Sequence, residues 1–109
     1  MNQLNTVILV GNVTENPEYF EKEKVCRFNV AVTRYYKNGD GHYEKVISYF
    51  DCECFGNLAE KFHEKIEKGR GIRLIGRLTQ KRWKDGEDKN HSAVCVVVEN
   101  IEVKPRKEQ

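Results

Sequence analysis

A chain of 109 residues has room for one domain, and 39% apolar with 33% charged residues marks a folded, soluble chain rather than a disordered one. The longest apolar runs, residues 7–10 and 94–98, are too short to cross a bilayer, and no signal peptide opens the chain, so a cytosolic location is expected. The formal charge is only +2, which by itself demands no polyanion. Its distribution is uneven: residues 67–84 hold seven basic residues and one acid, a local +6, leaving −4 for the rest.

In chain order, residues 6–10 are a β-rich run closed by Gly11-Asn12. Asn16-Pro17 marks a turn, and the charged residues 18–24 are expected to form a loop. Residues 25–36 alternate, with Cys26, Phe28, Val30 and Val32 on one face and Arg27, Asn29, Ala31 and Thr33 on the other. Asn38-Gly39-Asp40-Gly41 carries two hairpin signals. Residues 43–55 alternate again, with Val46, Ser48, Phe50, Cys52 and Cys54 facing the core. A helix follows, with Asn57 as N-cap, Leu58, Ala59, Phe62 and Ile66 at helical spacing, and Gly69 as the stop. Residues 72–82 and 93–103 are the last two strands, around an exposed loop over 84–90.

Parallel strands would need crossover helices, and only one helix is available. The economical solution is an antiparallel sheet closed on itself. An all-β, five-stranded Greek-key barrel with one helix between its third and fourth strands has the OB-fold order. The four cysteines have no C-x-x-C spacing, and Cys52 and Cys54 share a strand face. Reduced core thiols are expected, with no metal, no cofactor and no disulfide framework.

Single strands bind where exposed rings lie beside cations, because every base has a π-face. Tyr49 and Phe55 point away from the predicted core. Trp83, inside Lys81-Arg82-Trp83-Lys84, reads as surface-facing. Of Tyr35 and Tyr36, alternation selects Tyr35 unless a bulge shifts the phase. No Ser/His/Asp set, carboxylate pair or metal spacing emerges around His42, His63 or His91, so no enzymatic role is expected.

Several segments together resemble the bacterial and phage single-stranded DNA-binding proteins. They are the opening residues 1–12, Asn16-Pro17-Glu18, Phe28-Asn29-Val30-Ala31-Val32, Phe55-Gly56-Asn57-Leu58-Ala59-Glu60, Gly76-Arg77-Leu78 and Lys81-Arg82-Trp83. The resemblance implies an OB-fold domain over 1–104 with a short polar tail over 105–109. It also implies coating of single-stranded DNA without strong sequence preference, in replication, recombination or repair, and a homotetramer. It places the stacking rings at Tyr36, Tyr49, Phe55 and Trp83. Arg34, Lys37, Arg70, Arg73, Arg77, Lys81, Arg82 and Lys84 become candidate phosphate contacts. The chain departs from the pattern in three places. Asp51 and Glu53 lie between Tyr49 and Phe55, where carboxylates are expected to repel phosphate. His91-Ser92 stands where the family often has Arg-Tyr. The family's acidic, phenylalanine-ended tail has no counterpart, as expected of a cut chain or of a short member from a phage or mobile element; partners recruited through that tail are then not expected. The alternative is a primosome-type adaptor on the same fold that binds DNA weakly.

Overall fold

The computed structural model describes residues 3–105. Residues 1–2 of the opening motif, and residues 106–109 of the expected tail, lie outside them. The elements are β1 (Val7–Val13), β2 (Glu18–Phe20), β3 (Val25–Lys37), β4 (Tyr43–Phe55), α1 (Gly56–Phe62), β5 (Gly71–Lys84) and β6 (Asn90–Val103). The strands pair in the order β1-β5-β6-β4-β3-β2, and a β1–β3 pairing closes the ring. This is the expected OB-fold barrel of five strands, with β2 added at its edge.

One pairing is not antiparallel. β4 runs parallel to β6 at Cys52↔Val96 and Glu53↔Val97. The reason is topological: a ring of five strands cannot alternate direction all the way round, so at least one neighbouring pair must be parallel.

Two glycines let the barrel close. A Cβ on Gly11 would lie 2.3 Å from the Ala31 carbonyl oxygen, and one on Gly76 would lie 2.4 Å from that of Val97. Gly11 sits where β1 passes from β5 to β3. Gly76 follows the register shift in β5. Only a residue without a side chain permits such approach. For this reason β1 continues to Val13 rather than ending at Gly11-Asn12.

The core follows the alternation. Cys26, Phe28 and Val30 from β3 pack with Cys52 and Cys54 from β4, Ile72 and Leu74 from β5, and Val96, Val98 and Ile101 from β6. All four cysteines are buried and free. Burial pushes the Cys52 thiol up to about 12, so it stays protonated at neutral pH. Only the barrel half of each long strand is buried. Val46, on the expected core face, is exposed, because β3 and β4 run past the barrel as a free two-stranded arm. β5 and β6 form a second arm.

Two expected local structures change. Residues 18–24 are not all loop: Glu18–Phe20 pairs with Val25–Arg27 as a short, charged edge strand. The helix ends at Phe62, far short of Gly69, and Asn57 is not its cap. The extended residue Phe55 holds that place without a side-chain cap bond. The next residue, His63, stacks on Tyr19 of β2 with ring centroids 3.8 Å apart. Beyond it the chain docks on the end of β1, where Gly69 N donates to Val13 O (2.7 Å) and Lys68 N to Asn16 Oδ1 (3.0 Å).

Candidate nucleic-acid interface

The expected rings are exposed, but they do not share one face. β3 and β4 pair without a register break from Val25↔Phe55 to Lys37↔Tyr43. The phase is the same at both ends, where Gly56 N donates to Lys24 O and Asn38 N donates to His42 O. With no bulge, side-chain alternation puts Tyr49, Asp51, Glu53 and Phe55 on one face of β4, and Tyr35 with them across the pair. Tyr36 lies on the opposite face. Its hydroxyl donates to Glu44 Oε2 at 2.5 Å, and this bond raises the Tyr36 phenol and lowers the Glu44 carboxyl. The Tyr36 position implied by the resemblance is therefore separated from the other three rings. Tyr35 has their phase, and so do Lys45 and Tyr43, which the sequence reading passed over.

Trp83 is 50% exposed and pairs across β5–β6 with His91. The two rings stack at 5.6 Å with 19° between planes. Trp83 separates two hollows. On the barrel side is a groove of about 570 Å³, lined by Glu15, Glu18, Asp51 and Glu53 together with Arg27 and Lys81. On the other face of the arm is a hollow of about 600 Å³, lined by Arg82 and Lys84 with Gln80, Asn90, His91 and Ser92, and with no carboxylate in its lining.

Glu53 is the buried charge of the groove, only 6% exposed. It is ion-paired with Lys81 and, at 3.7 Å, with Arg27. A carboxylate at that depth requires such partners. Glu53 is thus neutralised on the spot rather than presented to phosphate, contrary to the expectation. Asp51 accepts a hydrogen bond from Asn29 Nδ2 at 3.0 Å.

The candidate cations divide in four. Arg70 is structural: its Nε donates to Lys104 O at 2.6 Å and its guanidinium pairs with Glu67 at 3.3 Å, leaving the side chain 17% exposed. Arg70 sits where β1 meets β5, with Val13 N donating to its carbonyl. Arg77 pairs with Glu99, Lys81 with Glu53, and Lys84 with Asp88. Arg82 donates to Gln80 Oε1 at 3.0 Å. Arg34, Lys37 and Arg73 make no ion pair among the described residues. Arg73 stands ten strand residues before Trp83, about 33 Å along β5 at the usual rise.

His91 and Asp85 are the site residues that sequence reasoning missed. Asp85 Oδ1 accepts from the backbone N of Glu87 (2.8 Å) and Lys89 (3.0 Å), while its Oδ2 lies 2.7 Å from His91 Nε2. These bonds, the one to His91 foremost, hold the Asp85 carboxyl below the usual carboxylate range. The Asp85-Gly86 turn was visible as a loop, but the pairing of His91 with Trp83 needs the arm's register.

The sequence profile of the Single-strand binding protein family matches residues 4–104. The single-stranded DNA-binding protein of Aquifex aeolicus is 33% identical over 101 residues, which cover 90% of this chain and 68% of that one. A crystal structure of a deletion mutant of the single-stranded DNA binding protein from Thermus aquaticus superposes with TM-score 0.81 at 28% identity, covering 94% of this chain and 51% of that one. The Plasmodium falciparum SSB complex with ssDNA superposes with TM-score 0.82 over 96% of this chain; at 14% identity that likeness concerns the fold. The chain thus spans about two thirds of the first relative and half of the second.

Proposed function

The chain belongs to the single-strand binding protein family, and from that premise we propose that it binds and coats single-stranded DNA by stacking bases on Tyr49, Phe55 and Trp83. The observation that carries the reading is Trp83: a half-exposed ring in the strand phase of Lys81, with Arg82 and Lys84 as its chain neighbours on the opposite face of β5. Stacking needs an open π-face, and counterion release needs cations beside it. Arg82 and Lys84 are the phosphate contacts nearest that ring. Arg34 and Lys37 serve the β3–β4 arm, where Tyr36 or Tyr35 supplies a further stack according to the path of the strand. Arg73, Arg77 and Lys81 join only if the strand extends past the Trp83 cluster or displaces their carboxylate partners. No chemical step is involved. A homotetramer accords with the outward face of β1, where Ile8 is 57% and Val10 46% exposed; sedimentation at four chain masses supports it, and at one chain mass refutes it. A place with DNA in the cytoplasm follows from the same activity.

The test is a titration with oligo-dT and with duplex of equal length at low and high salt, following the fluorescence of Trp83, the single tryptophan. Strong quenching by oligo-dT, weak response to duplex and partial reversal by salt are expected. Equal binding of duplex refutes single-strand coating. No quenching, with no binding by an independent method, moves the function to the adaptor role.

A further inference from the structure

We propose that His91 is the positioning residue for Trp83 and that its protonation strengthens the grip on single-stranded DNA; this rests on the stacking reading of Trp83. His91 lies directly across the arm from Trp83 and covers one side of its ring at 5.6 Å and 19°, within the range of favourable ring pairs. That leaves the other side for a base and fixes the plane on which the base lands. The histidine is itself held. Asp85 is locked into the turn by the Glu87 and Lys89 amides on one carboxylate oxygen, and the other oxygen reaches His91 Nε2. The order of control runs from turn to carboxylate to imidazole to indole.

The groove face of the ring meets Glu15, Glu18, Asp51 and Glu53, of which Glu53 is held by Arg27 and Lys81 and Asp51 by Asn29. On β5, Arg82 and Lys84 flank Trp83. In the turn, Lys84 pairs with Asp88 and Lys89 with Glu87, so these carboxylates have lysine partners. Asp85 has no ion-pair partner but His91 among the described residues. On β6, the neighbours Asn90 and Ser92 are neutral. Neutral His91 donates its Nε2 proton to Asp85. Protonation at Nδ1 adds one positive charge while Asp85 keeps its hydrogen bond. That charge lies against the indole face, where a cation is attracted, and beside the hollow of Arg82 and Lys84, where phosphate is expected. Binding of a polyanion therefore favours the protonated ring, and affinity rises as pH falls.

The experiment compares wild type, His91→Phe and Asp85→Asn at about pH 5.5 and about pH 8, either side of the usual histidine value. Oligo-dT binding is followed by anisotropy of a labelled strand. Trp83 emission of the free protein is titrated over the same range. Imidazolium quenches a stacked indole, so the wild-type emission should fall with a single midpoint, and oligo-dT should bind about two- to fivefold tighter at the lower pH. His91→Phe keeps a ring against Trp83 and should lose both responses. Asp85→Asn frees the imidazole from its carboxylate and should weaken both responses. A wild-type emission that ignores pH, or a His91→Phe protein with the wild-type pH dependence of binding, overturns the proposal. If Trp83 emission titrates with pH but oligo-dT leaves it unchanged at either pH, the base-stacking reading fails instead.

Discussion

The groove on the barrel side of Trp83 carries four carboxylates against two cations, both held by Glu53, whereas the hollow on the other face of the arm carries Arg82 and Lys84 with no carboxylate in its lining. One ring walls both. The two regions draw on neighbouring residues of one strand, since Lys81 and Arg82 are adjacent and point opposite ways. The difference teaches that a run of basic residues is not one electrostatic surface. Alternation deals its members to two faces, and each face meets a different neighbour. Lys81 meets a buried carboxylate and becomes part of the scaffold. Arg82 meets only the Gln80 amide, and Lys84 a solvent-exposed Asp88, so both stay available to phosphate. Trp83 shares the phase of Lys81, so a strand stacked on it meets Arg82 and Lys84 only by wrapping the edge of the arm.

The largest expected effect removes the wall between the two hollows. Trp83→Ala should weaken oligo-dT binding at least about tenfold, roughly 1.4 kcal/mol, read by anisotropy of a labelled strand. Unchanged affinity would break the comparison, because neither hollow would then be tied to binding.

The next test separates the cations. Replacing Arg82 and Lys84 together by Ala should weaken binding several-fold at low salt and reduce the slope of log affinity against log salt by about two. Lys81→Ala should leave that slope near wild type. A slope that drops equally for Lys81→Ala would place phosphate in the groove as well.

Glu53→Gln sharpens the same contrast from the other side. It frees Lys81 and Arg27, so the salt slope should steepen by about one. It should also destabilise the fold by about 1–2 kcal/mol in thermal unfolding, less than for a fully buried pair because both cations are about half exposed. An unaltered slope with a lowered Tm would mean that the freed cations do not reach the strand.

The smallest effect is confined to the arm tip. The folded-state Asp85 carboxyl is depressed, so its stabilisation of the turn is present above the ordinary carboxylate range and is lost as pH falls through the lower folded value. Amide exchange at Glu87 and Lys89 should accelerate over that acid interval while the barrel amides stay protected. Uniform loss of protection would tie the tip to the barrel instead.

Much of this was legible in the chain. The period-two pattern at Cys26, Phe28 and Val30, and at Cys52 and Cys54, located the core face of β3 and β4, and three basic neighbours correctly put Trp83 outside. Other features were not legible, for definite reasons. β2 is three residues long, too short for a periodic signal, and exists because β3 offers it an edge. The helix closes at Phe62 with a final turn in which Lys65 N and Ile66 N both donate to Phe62 O, and His63 stacks on Tyr19, a partner from far along the chain. Tyr35 and Tyr36 could be sorted only by the unbroken β3–β4 register. Glu53 read as an exposed carboxylate because Arg27 and Lys81 reach it only once β3, β4 and β5 share a barrel.

By itself, then, the sequence determined which faces are apolar, where the chain turns, that one helix stands between the third and fourth strands of the barrel, and which rings cannot be core. These are local properties, set by side-chain polarity and by the period of two. The tertiary structure alone decided partnership: the parallel β4–β6 contact, the bonds that hold Arg70 and Lys81, the side of the arm that Tyr36 occupies, and the histidine that backs Trp83. Partnership depends on register and closure. A ring of five strands can be closed only by fitting all of them at once, so no single segment holds that information.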